Sequence, residues 1–169
     1  FISSLEGRVW SAHDSSGDGL EDTSLPVSDE LAAPYGIAVP ADDPSAIDVA
    51  AKYGIVRLRL DDAGRAHTAS ILADGWGYTD DYHDWAVGFT ATPQGYLLAL
   101  PCQQDKRSPA AARFRGQVLD VRLAPTAADS LPKSTIAALT SGHRFPMGLA
   151  KNRAGDVFRV SDERRNEDH

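Results

Sequence analysis

The chain of 169 residues carries 17 Lys and Arg against 24 Asp and Glu, a net charge of −7, and its length indicates about one domain. The acidic balance argues against a nucleic acid or an anionic membrane surface as the main partner. No apolar run approaches the roughly 20 residues of a membrane span, no cleavable signal is visible, and the single cysteine excludes an internal disulfide.

The first predicted strand, GRVWSAH, is followed by the acidic segment DSSGDGLED. Oxygen atoms recur at alternating positions of this segment, as in the first part of an EF-hand calcium loop. The expected calcium ligands are Asp14, Ser16, Asp18, the main-chain carbonyl of Leu20, and Asp22. The bidentate glutamate of such a loop is missing, because Leu25 occupies its position, so a turn rich in Asp and Gly that binds no metal is the alternative.

Three similar segments follow along the chain: PYGIAVPADDPSAIDVAA, WAVGFTATPQGYLLALP and FPMGLAKNRAGDVFRVS. Each combines a glycine, a short apolar strand, a turn and a second strand. After the first two segments, a third strand (GIVRLRL or GQVLDVRL) and a fourth (HTASILA or STIAALT) complete a four-strand unit. The glycines Gly36, Gly88 and Gly148 are 52 and 60 residues apart, which is close to the spacing of β-propeller blades with loop insertions.

The repeat predicts an all-β protein, a β-propeller of four-stranded antiparallel blades. The predicted boundaries are 1–30 for the end of a preceding blade, 31–74 and 84–141 for two blades, and 146–169 for the start of the next. Two blades and two partial ones cannot close a ring, so we expect an incomplete fragment of a six- or seven-bladed propeller. A short helix over DDPSAIDVAAKYG is the alternative for that segment.

In an up-and-down blade, the connection between the second and third strands and the connection to the next blade emerge on the same face. The segments DGWGYTDDYHD, SGHRFP, PCQQDKRSPAAARFR and SDERRNEDH are connections of these two kinds. We therefore expect them on one face. If the first strand of each blade is innermost, His83 and Arg144 lie near the mouth of a central channel.

His83 is the candidate general base, because the imidazole pKa is normally near neutral pH and a nearby carboxylate would fix its tautomer. Asp80, Asp81 and Asp84 are the candidates for that carboxylate. A solvated loop histidine is the alternative. Trp85 is expected to pack between blades or to form the wall of a pocket.

Arg144 lies between a glycine turn and a proline, and its guanidinium could bind a carboxylate or a quinone oxygen. A salt bridge between blades is the alternative role of Arg144, and His143 is the alternative candidate residue. The preceding long connection supplies amide and acid groups at one rim of the same face: Gln103, Gln104 and Asp105. The length of that insertion favours a lid or a rim, whereas a solvated loop is the ordinary interpretation.

Four stretches carry a family resemblance: EGRVWSAHDSSGDGLED, GWGYTDDYHDWAVGF, ALPCQQDKRS and SGHRFPMGLAKNRAGDVF, with Ser141 in place of a glycine. Over most of residues 7–162, the chain resembles the glucose/sorbosone dehydrogenase-like β-propellers. This family includes soluble quinoprotein sugar dehydrogenases that use PQQ and calcium. The chain is most similar to the large bacterial propeller proteins of the "membrane-bound dehydrogenase" type, which often carry a haem c domain further along.

The resemblance implies that His83 is the proton-abstracting base and that Arg144 contacts the quinone. From their place at the rim of the same face, Gln103, Gln104 and Asp105 are predicted as further cofactor contacts. The resemblance also implies oxidation of a sugar or alcohol, with hydride passing to PQQ, calcium polarising the quinone and a cytochrome receiving the electrons. A periplasmic or secreted location also follows from it. Phe145 departs from the enzyme pattern, because the enzymes often have a polar residue there.

Two other functions are compatible with the fold class. A non-catalytic propeller could bind carbohydrate or protein, or act as a scaffold, after losing the cofactor. A calcium-dependent hydrolase of the lactonase kind would need a cluster of Asp, Glu and Asn at the strand starts, and the sequence does not show that cluster.

Overall fold

The structure is a computed structural model that describes residues 1–81, 83–102, 113–123 and 134–162, with the main chain alone at 161 and 162. These residues form four antiparallel sheets. The first sheet contains β1 (Ile2–Ser4), β2 (Arg8–His13) and β3 (Thr23–Ser28). The second contains β4 (Gly36–Ala38), β5 (Ala46–Ala50), β6 (Gly54–Leu60) and β7 (Ala66–Asp74). The third contains β8 (Gly88–Thr92), β9 (Gly95–Ala99), β10 (Val118–Leu123) and β11 (Ser134–Thr140). The fourth contains β12 (Phe145–Lys151) and β13 (Val157–Asp162).

The two four-stranded sheets are simple meanders, in which each strand pairs with the next along the chain. The prediction of an all-β protein with a repeated four-strand unit is therefore confirmed for the described residues. None of them belongs to a helix that could cross a membrane. No described sheet closes on itself, so the propeller and its blade boundaries remain predictions.

The central strand β5 is buried along its whole length and on both faces. Ile47 and Val49 pack in one cluster with Val9 of the first sheet. Ala50 packs in another cluster with Leu98 of the third sheet. A strand between two sheets has no solvent-facing side, which is why AIDVA lacks a simple alternation of apolar and polar residues. The helix alternative for this segment is wrong.

The first strands of successive sheets approach each other closely at two of the repeated glycines. A Cβ atom added at Gly36 would collide with Cβ of Phe89, the residue after Gly88. A Cβ atom added at Gly88 would lie 2.8 Å from Cγ of Leu149, the residue after Gly148. In both pairs of strands, β4 with β8 and β8 with β12, a repeated glycine contacts the residue that follows the next repeated glycine. At Gly36 and Gly88, the recurrence of glycine reflects this repeated contact between neighbouring sheets.

A buried polar cluster joins the second and third sheets around Asp48, which is fully buried on β5. Arg57, its cross-strand neighbour on β6, donates through Nε and Nη2 to the two carboxylate oxygens at 2.7 Å each. The hydroxyl of Tyr96 on β9 donates to one of the same oxygens. The hydrogen bond to Asp48 raises the pKa of Arg57, and burial raises the pKa of Tyr96. Arg57 therefore stays charged and Tyr96 stays protonated, so both remain donors to Asp48.

Candidate functional site

Three chain connections meet on one side of the second, third and fourth sheets. The Cys102 main-chain N–H donates to the carbonyl of Arg144 at 2.8 Å, and the His143 N–H donates to the carbonyl of Gly116 at 3.0 Å. Arg115 donates to the carbonyl of Gly77 at 2.6 Å. We call this side the loop face, formed by residues 75–87, 100–102, 113–117 and 141–144. The expectation of a shared face is confirmed for the described parts of DGWGYTDDYHD, SGHRFP and PCQQDKRSPAAARFR, whereas SDERRNEDH lies almost wholly outside the described residues.

His83 lies on the loop face with 42% of its side chain exposed. Its Nδ1 is 3.4 Å from Oδ1 of Asp81, and its main-chain N–H donates to the same oxygen at 2.8 Å. Of the three candidate carboxylates, Asp81 is therefore the one beside the ring, whereas Asp80 is exposed and Asp84 is buried. If the Asp81 carboxylate accepts a hydrogen bond from Nδ1–H, the basic lone pair of the imidazole lies on Nε2.

A row of aromatic rings lies beside His83. The ring of Trp85 is 6.0 Å from the His83 ring, stacks on Tyr35 at 6.3 Å and meets the edge of Phe145 at 6.0 Å. Trp85, Tyr35 and Phe145 are each half-buried. Since Tyr35 and Phe145 lie at the starts of β4 and β12, this row crosses from the second sheet to the fourth. Trp85 therefore packs between sheets and also forms a wall beside the histidine.

Arg144 is exposed on the loop face, next in the chain to Phe145. Among the described residues no carboxylate forms an ion pair with it. His143 is buried instead, with Nε2 2.6 Å from the hydroxyl of Thr140, so it points into the protein. Arg144 is thus the better placed of the two candidates. The other predicted cofactor contacts, Gln103, Gln104 and Asp105, lie outside the described residues.

A buried ion pair beneath His83 was not anticipated from the sequence. The side chains of Arg115 and Asp84 are only 4% and 7% exposed and are in direct contact. Burial lowers the pKa of Arg115, and the charge of Asp84 acts in the opposite direction. In the sequence, Arg115 is one of several arginines in a polar connection, and only its position directly before the glycine and strand of GQVLDV distinguishes it.

The predicted calcium loop connects β2 to β3, and its carboxylates are engaged by the loop itself. Asp14 accepts the N–H groups of Gly17 at 2.6 Å and Gly19 at 2.7 Å. Asp22 accepts the N–H of Ser15 at 2.9 Å. The remaining predicted ligands are Ser16, which bonds to Asp14, Asp18, which accepts the N–H of Leu20, and the Leu20 carbonyl. The described residues contain no group of three or more His, Cys, Asp or Glu side chains able to hold a metal, and calcium stays a prediction.

Acidification should weaken the hydrogen bonds that Ser15 donates to Asp22 as the pH falls from 3.8 to about 2. The bonds from Ser15 lower the pKa of Asp22 from 3.8 to about 2. A lowered carboxyl pKa stabilises the folded loop above the unfolded pKa, and that stabilisation is lost as the pH falls through the folded value. We expect the NMR signal of the Ser15 amide to titrate with a midpoint near 2 and to lose this step in Asp22→Asn. A midpoint near 3.8 would contradict the arrangement.

A cleft of about 590 Å³ lies between the second and third sheets, away from the loop face. Its lining includes the turns between β4 and β5 and between β8 and β9, with Arg57 and Tyr96 beside it. The guanidinium of Arg57 and the hydroxyl of Tyr96 are already bonded to Asp48. None of the candidate residues on the loop face lines this cleft.

Comparison with known proteins does not assign a family. No protein-family model, no curated protein and no solved structure matches the chain.

Proposed function

We propose that the four sheets belong to a β-propeller and that the chain is part of a quinoprotein-like dehydrogenase that oxidises a sugar or an alcohol. One observation carries the proposal: the His83–Asp81 pair, the ring of Trp85 and the exposed Arg144 segment lie on the same loop face. A base, a flat apolar wall and a cation are the groups that hydroxyl oxidation with an anionic quinone requires.

Side chains on the loop face support the proposal of a planar quinone that carries carboxylates. The half-buried rings of Trp85, Tyr35 and Phe145 offer flat surfaces for stacking. The guanidinium of Arg144 can bind a carboxylate or a quinone oxygen in a bidentate manner. Gln103, Gln104 and Asp105 are proposed as additional contacts from the rim. PQQ bound in this place would supply a carbon atom that accepts hydride.

In this proposal His83 removes the proton of the substrate hydroxyl through Nε2. Asp81 holds the ring by its contact with Nδ1 and stabilises the imidazolium that forms. Lys52 donates through Nζ to the carbonyl of Asp81 at 2.8 Å, which fixes the main chain that carries this carboxylate. Arg144 stabilises negative charge that develops on the oxygen of its bound partner.

Several further properties belong to the same proposal and rest on the family resemblance. Calcium would polarise the quinone, and a second ion bound by residues 14–22 would be structural. A haem c domain of the full-length protein would receive the electrons. The protein would be periplasmic or secreted.

Replacing His83 tests the proposed chemistry directly. In the full-length protein loaded with PQQ and Ca²⁺, we expect His83→Gln to lower dye-linked oxidation of aldoses or alcohols by about 10²–10⁴-fold, the usual contribution of a general base. His67→Gln is the matched control, because His67 is exposed on β7, away from the loop face, and its replacement should leave the rate unchanged. Unchanged turnover in His83→Gln would refute the proposed role of this residue.

The aromatic row also supports a second function, a carbohydrate-binding module without oxidation, because aromatic rings bind sugars by stacking. The two functions differ in their cofactor. Sugar binding that is weakened by Trp85→Ala, in a full-length protein that takes up no PQQ, would favour the binding module over the dehydrogenase.

A further inference from the structure

The main chain around His83 is closed into a compact loop by one buried carboxylate. Asp84 contacts Arg115 through Oδ1, and its Oδ2 accepts the main-chain N–H of Thr79. Arg115 also donates to the carbonyl of Gly77. Two segments that flank His83 are therefore tied to one buried guanidinium.

The turn that carries Arg115 also holds the segment of Arg144. The main-chain N–H of Gly116 donates to Pro101 at 2.8 Å, and the carbonyl of Gly116 accepts the N–H of His143 at 3.0 Å. A Cβ atom at Gly116 would lie 2.9 Å from the carbonyl oxygen of His143, so the two chains are in close contact. The position of Arg115 is thereby linked to both candidate loops.

We infer that Arg115 is a positioning residue that fixes the geometry of His83 relative to the Arg144 segment. This role rests on the proposed function, but the connection between the loops is a property of the protein without substrate. A buried ion pair that loses one partner leaves an uncompensated charge, so the loop segments should rearrange. Displacement of a catalytic group by about 1 Å can cost about 10²-fold in rate.

Hydrogen–deuterium exchange of the full chain tests the connection. We expect Arg115→Met to accelerate exchange by at least about 10-fold in peptides that contain 77–85 and 141–146, as local opening does. Strands β5 and β9 should keep their protection. Arg115→Lys keeps the charge but replaces the forked guanidinium with one ammonium group, so it should show a smaller acceleration in the same two peptides. Arg122→Met is the matched control, because the side chain of Arg122 is 65% exposed, and it should change neither peptide.

A kinetic measurement separates positioning from general stability. In the loaded enzyme, Arg115→Met should lower kcat about 10- to 100-fold with little change in KM. The inference is wrong if exchange in the two peptides is unchanged. It is also wrong if both Arg115 variants accelerate exchange in β5 and β9 as much as in the two peptides. If the full-length protein takes up no PQQ and oxidises no sugar or alcohol, the proposed function fails, while the exchange result still decides whether Arg115 links the loops.

Discussion

Asp48→Ala should lower the free energy of unfolding by about 3–5 kcal/mol, the usual effect of removing one partner from a buried ion pair. The substitution leaves the guanidinium of Arg57 and the hydroxyl of Tyr96 without the carboxylate to which both donate. The cost arises because polar groups that were removed from water then have no partner. Urea denaturation followed by tryptophan fluorescence measures the change.

Two control variants make this result specific. Arg59→Gln removes the partner of Asp43 in a more exposed pair, and we expect a change of at most about 1 kcal/mol. Asp48→Leu combined with Arg57→Met removes both charges, and it should be more stable than Asp48→Ala because no buried charge is left unpaired. A loss below about 1 kcal/mol in Asp48→Ala would show that the cluster does not stabilise the interface between the two sheets.

Gly36→Ala should lower the free energy of unfolding by about 1–3 kcal/mol, the range observed for overpacking in a close-packed core. The added methyl group would meet Cβ of Phe89, which cannot move without its main chain. The strands β4 and β8 must therefore separate. Thermal or urea unfolding of the purified variant gives the measurement.

Gly148→Ala is the matched control for Gly36→Ala, because it changes the corresponding glycine of the fourth sheet. No described atom lies within 4 Å of a Cβ atom at this position. We expect a change within about 0.5 kcal/mol or a small gain in stability, since alanine reduces the freedom of the unfolded chain. Equal losses of unfolding free energy in the two variants would show that contact with the next sheet does not explain why position 36 is a glycine.

The sequence allows the strand order to be predicted because the repeat and the turns are local signals. It does not allow a reliable assignment of AIDVA, since a strand buried on both faces lacks alternation and resembles a buried helix segment. The acidic residue of that run, Asp48, is a signal that the predictions from the sequence leave out. An aspartate between apolar residues needs a buried partner, and Arg57 occupies the facing position on β6.

The candidate site could be predicted only in part. The topology of a meander places the connections of His83 and Arg144 on one side, which the described residues confirm. Which aspartate faces the imidazole depends on the turn geometry, and Asp80, Asp81 and Asp84 are equivalent in the sequence. The ion pair between Asp84 and Arg115 joins two segments that are far apart in the sequence. No periodic pattern of residues indicates such a contact.

Each core cluster packs between two neighbouring sheets, and this arrangement affects how the protein unfolds. The core clusters join the first sheet to the second, the second to the third and the third to the fourth. Coupling of this kind acts between nearest neighbours, as in repeat proteins. Loss of the second sheet would expose apolar residues of both the first and the third. Local opening of one sheet should therefore destabilise the sheets beside it more than the sheet beyond them.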